Sequence, residues 1–197
     1  MALPAFKEAL AAARDKTLVD YTSVSHLKFE ILEQLYATFR DTCLRSAANE
    51  RGQAFRHFQN EGGPWLRRFA LFQALCETFS TNDWTQWPAG FRSPSAAEVK
   101  SFEVENEERL FFFEYVQWQA DLQIAAATAQ ANEAGMNIGL YGDVAVSVDP
   151  SGADHWGQQD IYASGARIGA PPDPFNDLGQ EWGIVPMNPL RLRDNTL

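Results

Sequence analysis

Apolar residues recur at helical spacing along about the first two-thirds of the chain. One stripe consists of Leu27, Ile31, Leu35 and Phe39, with Leu32 and Tyr36 widening it. A second stripe consists of Trp65, Phe69, Phe72, Leu75, Cys76 and Phe79. Residues that recur every three or four positions share one face of a helix, so both stripes predict amphipathic helices with a buried face. Gly62, Gly63 and Pro64 separate the two helices as breaker and start signals.

A loop and a third helix complete this helical part. Residues 81–94 contain Pro88 and Pro94, which prevent a long helix there. From residue 95 or 96 the pattern predicts one long helix that runs to Glu133 and stops at Gly135. Its predicted core stripe consists of Phe111, Tyr115, Trp118, Leu122 and Ala125.

The pattern changes after Gly135. Residues 136–150 contain a short run rich in β-branched residues that ends in a turn, which predicts one strand after the helices. From Asp149 onward glycine, proline and aspartate dominate, which predicts a long ordered loop with a helical turn around Gln158–Ala163. A lone strand leaves its backbone donors and acceptors unpaired. The sequence therefore predicts an α/β protein whose further strands come from outside this sequence.

Composition narrows the class of protein. The chain has 197 residues and a net charge of −10, and this acidic balance argues against nucleic acid as a partner. It contains no run of about 18 apolar residues that would span a membrane, and its first residues lack the pattern of a secretory signal. Cys43 and Cys76 could pair, but two cysteines make no disulfide framework, so we expect buried thiols in the cytoplasm.

The glycine- and proline-rich part near the end of the chain holds the candidate chemistry. Pro171, Pro172 and Pro174 stiffen the backbone of a loop. Asp173 and Gln180 offer hydrogen-bonding groups suited to sugar hydroxyls, whereas Phe175 and Trp182 offer flat apolar faces for a pyranose ring. Long ordered loops of this kind usually carry function, so these four residues are candidate substrate contacts.

This loop resembles the active-site loop of the amylomaltases, the 4-α-glucanotransferases of glycoside hydrolase family 77. The family pattern is met by Gly169, Pro171, Pro172, Asp173, Phe175, Gly179, Gln180, Trp182 and Gly183, with the final proline displaced by one residue, to Pro186. Pro174 stands where some members carry a tyrosine. The density of the match makes the resemblance specific.

Residues 139–156 resemble the family's third barrel strand and the turn after it. The resemblance implies that Asp143 lies near the carboxyl end of that strand and faces the donor sugar, as active sites of (β/α)8 barrels do. Residues 1–134 resemble the helical insertion ahead of this strand. The implied organisation is a helical insertion subdomain at 1–134, followed at 135–197 by a barrel strand and a loop that covers the active site. The implied fold is a fragment of a (β/α)8 barrel.

Retaining glucanotransfer requires two carboxyl groups about 5 Å apart, one as nucleophile and one as acid/base. In the family the nucleophile lies in an Arg-Ile-Asp-His-type segment, which this sequence does not contain. The chain is therefore expected to be an internal piece of a maltodextrin-transferring enzyme, inactive alone, with the remainder of the barrel as its partner. No organic cofactor is implied. No metal site is expected either, because the three histidines are far apart in sequence.

Two alternatives stay open at this point. The chain could be a non-catalytic helical module that binds α-glucan or a partner protein, provided that its loop folds without a barrel. It could instead be one half of a split enzyme that a second chain completes. Cooperative melting with a rise in midpoint on adding glucan would favour the first alternative. A neighbouring reading frame with the Arg-Ile-Asp-His-type segment would favour the second.

Overall fold

The computed structural model describes residues 4–195. These residues are mostly helical: α1 (Pro4–Arg14), α2 (Tyr21–Phe39), α3 (Glu50–Phe79), α4 (Ala97–Glu105), α5 (Glu107–Glu133), α6 (Ala153–Gly157) and α7 (Pro189–Asn195). The strands are β1 (Gly169–Ala170) and β2 (Gln180–Glu181), which pair antiparallel. Among these residues no helix combines the length and the apolar composition that crossing a membrane requires.

The chain divides into two compact units, Met1–Asn60 and Glu61–Leu197. The predicted boundary lies elsewhere, between residues 134 and 135. Most of the helical part belongs to the second unit because side chains of these helices pack on residues beyond 135. For example, the ring centroid of Phe72 lies 5.8 Å from that of Trp156. The assignment of 1–134 and 135–197 to an insertion and a barrel stays a prediction.

In the first unit α2 begins at a capping aspartate. The carboxylate of Asp20 accepts a hydrogen bond from the Ser23 amide at 3.1 Å. It also pairs with the Lys16 ammonium, and these bonds hold the pKa of Asp20 well below its usual range. The core of this unit includes an edge-to-face pair of phenyl rings, Phe39 and Phe55, whose centroids are 5.5 Å apart.

The predicted stripe of α2 is confirmed only in part. Leu27 and Phe39 are buried, whereas Ile31 and Leu35 are exposed by 38% and 51%. Tyr36, at the edge of the predicted stripe, is 5% exposed and belongs to the core. Helical spacing marks which residues share a face, but the helices that pack against α2 decide which part of that face is covered.

The break between the two predicted stripes is confirmed as a kink inside α3. Gly63 has φ 49° and ψ −140°, and Pro64 follows it. Glycine tolerates this positive φ because it has no Cβ, and the proline that follows has no amide to donate to the preceding turn.

An aromatic cluster forms the core of the second unit around the predicted loop 81–94. The loop contains two short 3-10 turns, Trp84–Gln86 and Ala89–Phe91. Between them Trp87 is fully buried, with ring centroids 5.4 Å from Phe72 and 5.6 Å from Phe79. The prediction of an irregular segment here is confirmed.

The single long helix predicted up to Glu133 is wrong, because Asn106 divides it into α4 and α5. The backbone of Asn106 leaves helical geometry at φ −115° and ψ 23°, and its amide Nδ2 donates to the Phe102 carbonyl at 2.9 Å. An asparagine side chain that bonds a carbonyl of the preceding turn competes with the helical ladder. The end at Glu133 is confirmed, and Gly135 follows with φ 79°.

The strand predicted after Gly135 is not formed within the part of the chain that the structure describes. Residues 139–147 have no regular secondary structure, and Tyr141 and Val144 are each 89% exposed. At the end of this segment Val148 makes one isolated antiparallel bridge, to Val185. A strand needs neighbours to pair its amides and carbonyls, and these residues provide no continuous ladder partner for the segment.

Cys76 provides a pH-dependent test of the second unit. The two cysteines are free and half-buried, and burial raises the pKa of Cys76 from 9.0 to about 11. In a Cys43→Ser chain we expect iodoacetamide to modify folded Cys76 at pH 8 about a hundredfold more slowly than the same thiol in urea, because only the thiolate reacts. The unfolded chain ionises first, so the unit loses stability as the pH rises from 9.0 to about 11. Equal alkylation rates in folded and unfolded chain would contradict this assignment.

Candidate functional site

The candidate loop folds as an antiparallel hairpin. Residues 161–163 pair with 186–188 at its base, and 168–170 pair with 180–184 in its outer half. The base bonds run from the Asn188 amide to the Ile161 carbonyl at 2.7 Å and from the Ala163 amide to the Pro186 carbonyl at 2.9 Å. In the outer half the Ile168 amide donates to Ile184 and the Trp182 amide donates to Ile168, each at 3.0 Å. The sequence predicts an ordered loop here, and the ladder shows how its order arises.

Two glycines permit the close approach of the hairpin strands. A Cβ on Gly169 would lie 1.9 Å from the Gln180 carbonyl oxygen, which no side chain tolerates. Gly179 has φ 71°, and a Cβ there would lie 2.6 Å from the Ala170 oxygen. Glycine is therefore required at Gly169 in β1 and at Gly179 directly before β2, because a side chain at either position would collide with the opposite strand.

Asp173 and Phe175 lie at the tip of the hairpin. The carboxylate oxygen Oδ1 of Asp173 accepts hydrogen bonds from the amides of Phe175 and Asn176, each at 2.8 Å. This is a turn in which the aspartate side chain replaces a backbone acceptor. It uses part of the accepting capacity of the carboxylate, and Phe175 is left 98% exposed.

Gln180 and Trp182 lie side by side on the second strand. The indole Nε1 of Trp182 donates to the Gln180 Oε1 at 3.0 Å, and the indole is 46% exposed. The bond orients the glutamine so that its Nε2 remains a donor, next to an apolar ring face. The structure thus brings these two candidates together and places Asp173 and Phe175 together at the tip.

Asp143 is in a different setting from the other candidates. It lies in the exposed segment 139–147, and its Oδ1 accepts from the Val144 amide at 2.9 Å. In the described residues no hydrogen bond links its carboxylate to the hairpin. The predicted position at the end of a strand is therefore not present in this structure, because the strand itself lacks pairing partners.

A small apolar cluster supports the hairpin base. Ile161, Tyr162 and Val185 are buried, and Val148 packs against them. The Ser147 hydroxyl donates to the Val185 carbonyl. Burial, with a smaller contribution from the charge of Asp154, raises the pKa of the Tyr162 phenol. This cluster joins the end of the segment that carries Asp143 to the hairpin that carries the other candidates.

His155 and Ser164 were not identified as site residues from the sequence. His155 is 4% exposed, and its ring nitrogens lie 2.7 Å from the Pro150 carbonyl oxygen and 3.0 Å from the Ser164 hydroxyl. The available sequence signal was a histidine directly before the buried Trp156, in a turn that leads into the hairpin. Within residues 4–195 no three His, Cys, Asp or Glu side chains are grouped so as to hold a metal ion.

The exposed groups of the hairpin suit a polyhydroxylated ligand. A carboxylate accepts hydrogen bonds, a primary amide both donates and accepts them, and an indole face packs against the CH groups of a sugar ring. These groups sit on a backbone fixed by its own ladder, so the cost in conformational entropy of presenting them is small.

Known proteins resemble this chain over most of its length. A family model described as 4-alpha-glucanotransferase matches residues 2–196. The 4-alpha-glucanotransferase of Mycobacterium tuberculosis is 43% identical over 150 residues, which are 76% of this chain and 20% of that protein. That of Haemophilus influenzae is 33% identical over 192 residues, which are 93% of this chain and 27% of that protein.

Solved structures agree with these matches. Amylomaltase from Corynebacterium glutamicum aligns with a TM-score of 0.67 and 30% identity over 86% of this chain and 21% of that one. Amylomaltase from Streptococcus agalactiae in complex with acarbose has a TM-score of 0.75, over 90% of this chain and 35% of that one. At 23% identity the second likeness concerns the fold alone.

The chain thus spans between about a fifth and about a third of the length of these relatives. The mostly helical character with few strands, expected from the sequence, is confirmed for the described residues. The resemblance read from the glycine-, proline- and tryptophan-containing loop is confirmed by a family match over nearly the whole chain. This chain belongs to the 4-alpha-glucanotransferase family.

Proposed function

We propose that this chain forms part of an amylomaltase that transfers α-1,4-glucan segments between maltodextrins, and that it supplies substrate-binding groups. The observation that carries the proposal is the hydrogen-bonded pair of Gln180 and Trp182 on an ordered, exposed hairpin within the matched region. The amide would bind sugar hydroxyls while the indole face covers a pyranose ring. Asp173 and Phe175 would contact the same glucan from the hairpin tip.

The exposed segment 139–147 would become a strand of a (β/α)8 barrel in the assembled enzyme. Its side chains Leu140, Val144 and Val146 are exposed by 51% to 89%, which is typical of a strand that lacks its neighbours. Pairing on both sides would fix the backbone and bring Asp143 to the carboxyl end of the strand, where barrel enzymes place their sites. There its carboxylate would accept hydrogen bonds from the donor sugar.

The two carboxyl groups of the retaining reaction would come from segments outside these 197 residues. One would attack the anomeric carbon to form a glucosyl-enzyme while the other protonates the glycosidic oxygen, which leaves as a 4-hydroxyl. The second carboxyl group would then take the proton from the 4-hydroxyl of the incoming sugar as that oxygen displaces the enzyme carboxylate. Two carboxyl groups suffice for this displacement, so the reaction calls for no organic cofactor. The chain alone would therefore be inactive, and the remainder of the barrel would be its partner. We place the assembled enzyme in the cytoplasm.

A hybrid enzyme tests the proposal. This chain replaces the aligned segment of the Corynebacterium glutamicum amylomaltase, and the hybrid is incubated with maltotriose, whose products are separated by chromatography. We expect glucose and longer maltodextrins from the hybrid and none from the 197-residue chain alone. In the hybrid, Trp182→Ala should raise KM about tenfold, equivalent to about 1.4 kcal/mol of lost ring contact, and Asp143→Asn should lower kcat/KM by roughly a hundredfold.

Two controls accompany this assay. Trp182→Phe keeps an aromatic face and should recover most of the affinity, and Glu105→Gln, on the exposed side of α4, should change kcat/KM less than about twofold. A hybrid that folds, by circular dichroism and gel filtration, yet transfers nothing would contradict the proposal. Glucan binding by the chain alone, combined with that inactivity, would favour a non-catalytic glucan-binding module. Transfer by the chain alone would show that the reacting carboxylates lie within it.

A further inference from the structure

His155 is buried between the helical core and the base of the hairpin. It lies on the short helix α6, whose Trp156 is fully buried and donates from Nε1 to the Phe91 carbonyl at 3.0 Å. The imidazole meets the rings of Trp84 and Tyr162 edge to face, each with centroids 5.4 Å away. Its ring therefore contacts both the aromatic core of the second unit, through Trp84, and the hairpin base, through Tyr162.

The partners of His155 determine which nitrogen carries the proton. A carbonyl oxygen only accepts, so Nδ1–H donates to the Pro150 oxygen at 2.7 Å. In the neutral ring the lone pair then lies on Nε2, and the Ser164 hydroxyl donates to it at 3.0 Å. The same Pro150 oxygen accepts a hydrogen bond from the Trp84 indole at 3.0 Å, so Pro150 connects His155 to the loop 81–94.

Ser164 lies at the one interruption of the hairpin ladder in the described residues. The base pairs 161–163 with 186–188 and the outer half pairs 168–170 with 180–184, while residues 163–166 form a turn closed by the Ala166 amide on the Ala163 carbonyl at 2.9 Å. Opposite this turn, buried Val185 fixes the second strand through its bridge to Val148. On the first strand, the Ser164 hydroxyl is bonded to His155.

We propose that His155 is a positioning residue for substrate binding, acting through Ser164 to fix the outer hairpin half relative to the helical core. The angle at the interruption decides where Asp173, Gln180 and Trp182 lie, because all three are on the outer half. This inference rests on the proposed function, since it assigns the hairpin a glucan to bind. His155 itself remains buried beneath the hairpin and does not touch the glucan.

The hydrogen bond between His155 and Ser164 can be removed by changing Ser164, which leaves the packing of the core intact. Ser164 is exposed, so Ser164→Ala removes the hydroxyl at little cost in packing, and Ser164→Thr restores it as a matched control. His155→Asn retains a donor near the Nδ1 position, toward Pro150, and loses the acceptor at Nε2. If the two residues act as one link, the double variant should show little more effect than either single variant.

Hydrogen exchange of the chain by itself measures the order of the hairpin without any sugar. In Ser164→Ala we expect the amides of Ile168 and Trp182 to exchange about fivefold faster, as for the loss of one ordinary hydrogen bond, and those of α3 to be unchanged. In the hybrid enzyme, KM for maltotriose should rise about fivefold with kcat within about twofold. Ser164→Thr should restore both values.

The outcomes separate this inference from the proposed function. Faster hairpin exchange together with a raised KM supports the inference, and unchanged exchange in Ser164→Ala overturns it. Faster exchange with an unchanged KM in an active hybrid also overturns it, because the hairpin would then be positioned by other contacts when glucan binds. An inactive wild-type hybrid would contradict the proposed function, and the exchange rates would then decide whether the link orders the hairpin.

Discussion

Replacing Trp156 by alanine is expected to destabilise the second compact unit by about 4 kcal/mol, as for other large-to-small substitutions of buried aromatic residues. Trp156 is fully buried, its ring lies 5.8 Å from Phe72 and 5.9 Å from Trp87, and its Nε1 donates to the Phe91 carbonyl. Alanine would leave a cavity in the aromatic cluster and an unpaired carbonyl beside it. Because Trp156 adjoins His155, the hairpin should loosen as well.

Urea unfolding followed by tryptophan fluorescence measures this effect in the right unit, since all six tryptophans lie after residue 60. Trp156→Phe keeps a ring and loses the hydrogen bond, so it should cost about 1–2 kcal/mol and gives a value if the alanine variant fails to fold. Trp65→Ala is the matched control, because Trp65 is 58% exposed and should cost less than about 1 kcal/mol. Equal costs for Trp156→Ala and Trp65→Ala would contradict the packing described.

Arg67→Met should cost the second unit about 3 kcal/mol, because it removes a cationic partner from a buried carboxylate. Glu114 is 3% exposed, and its Oε1 lies 3.3 Å from the Arg67 guanidinium. Arg67 also donates to Glu103 at 2.7 Å and links α3 with both α4 and α5. Loss of an ion-pair partner from a buried charge is costly, whereas replacement of both members of the pair is far less so.

A double-mutant cycle isolates this pair. Combining Arg67→Met with Glu114→Gln should recover a large part of the loss, which gives a coupling energy of about 1–2 kcal/mol by urea unfolding. Glu103→Gln is the control, because Glu103 is half-exposed and its bond to the same guanidinium should contribute less than about 1 kcal/mol. If Arg67→Met costs no more than Glu103→Gln, the buried pair is not the stabilising contact.

The candidate site divides into a part that local pattern predicted and a part that it could not. The motif that contains Gly169 and Gly179 predicted an ordered loop, and the structure gave the reason for both glycines, because a side chain at either position would collide with the opposite strand. The hairpin ladder itself was not predicted. The bond between Gln180 and Trp182 follows from alternate positions on one strand, which face the same side. The sugar-binding roles of these residues and of Asp143 stay predictions. The contacts of His155 could not be predicted from a local pattern, because its partners Pro150 and Ser164 lie on separate turns.

The sequence by itself determined the helical character up to Glu133, the break at Gly63 and Pro64, the stop at Gly135 and the family. These features depend on residues close in the chain, where periodicity, glycine and proline act locally. Only the tertiary structure decided which part of the α2 stripe is buried, and that the segment carrying Asp143 forms no strand here. It also brought His155 into contact with both the aromatic core and the hairpin. Burial and ladder bonds require partners distant in sequence, and their positions exist only once the chain has folded.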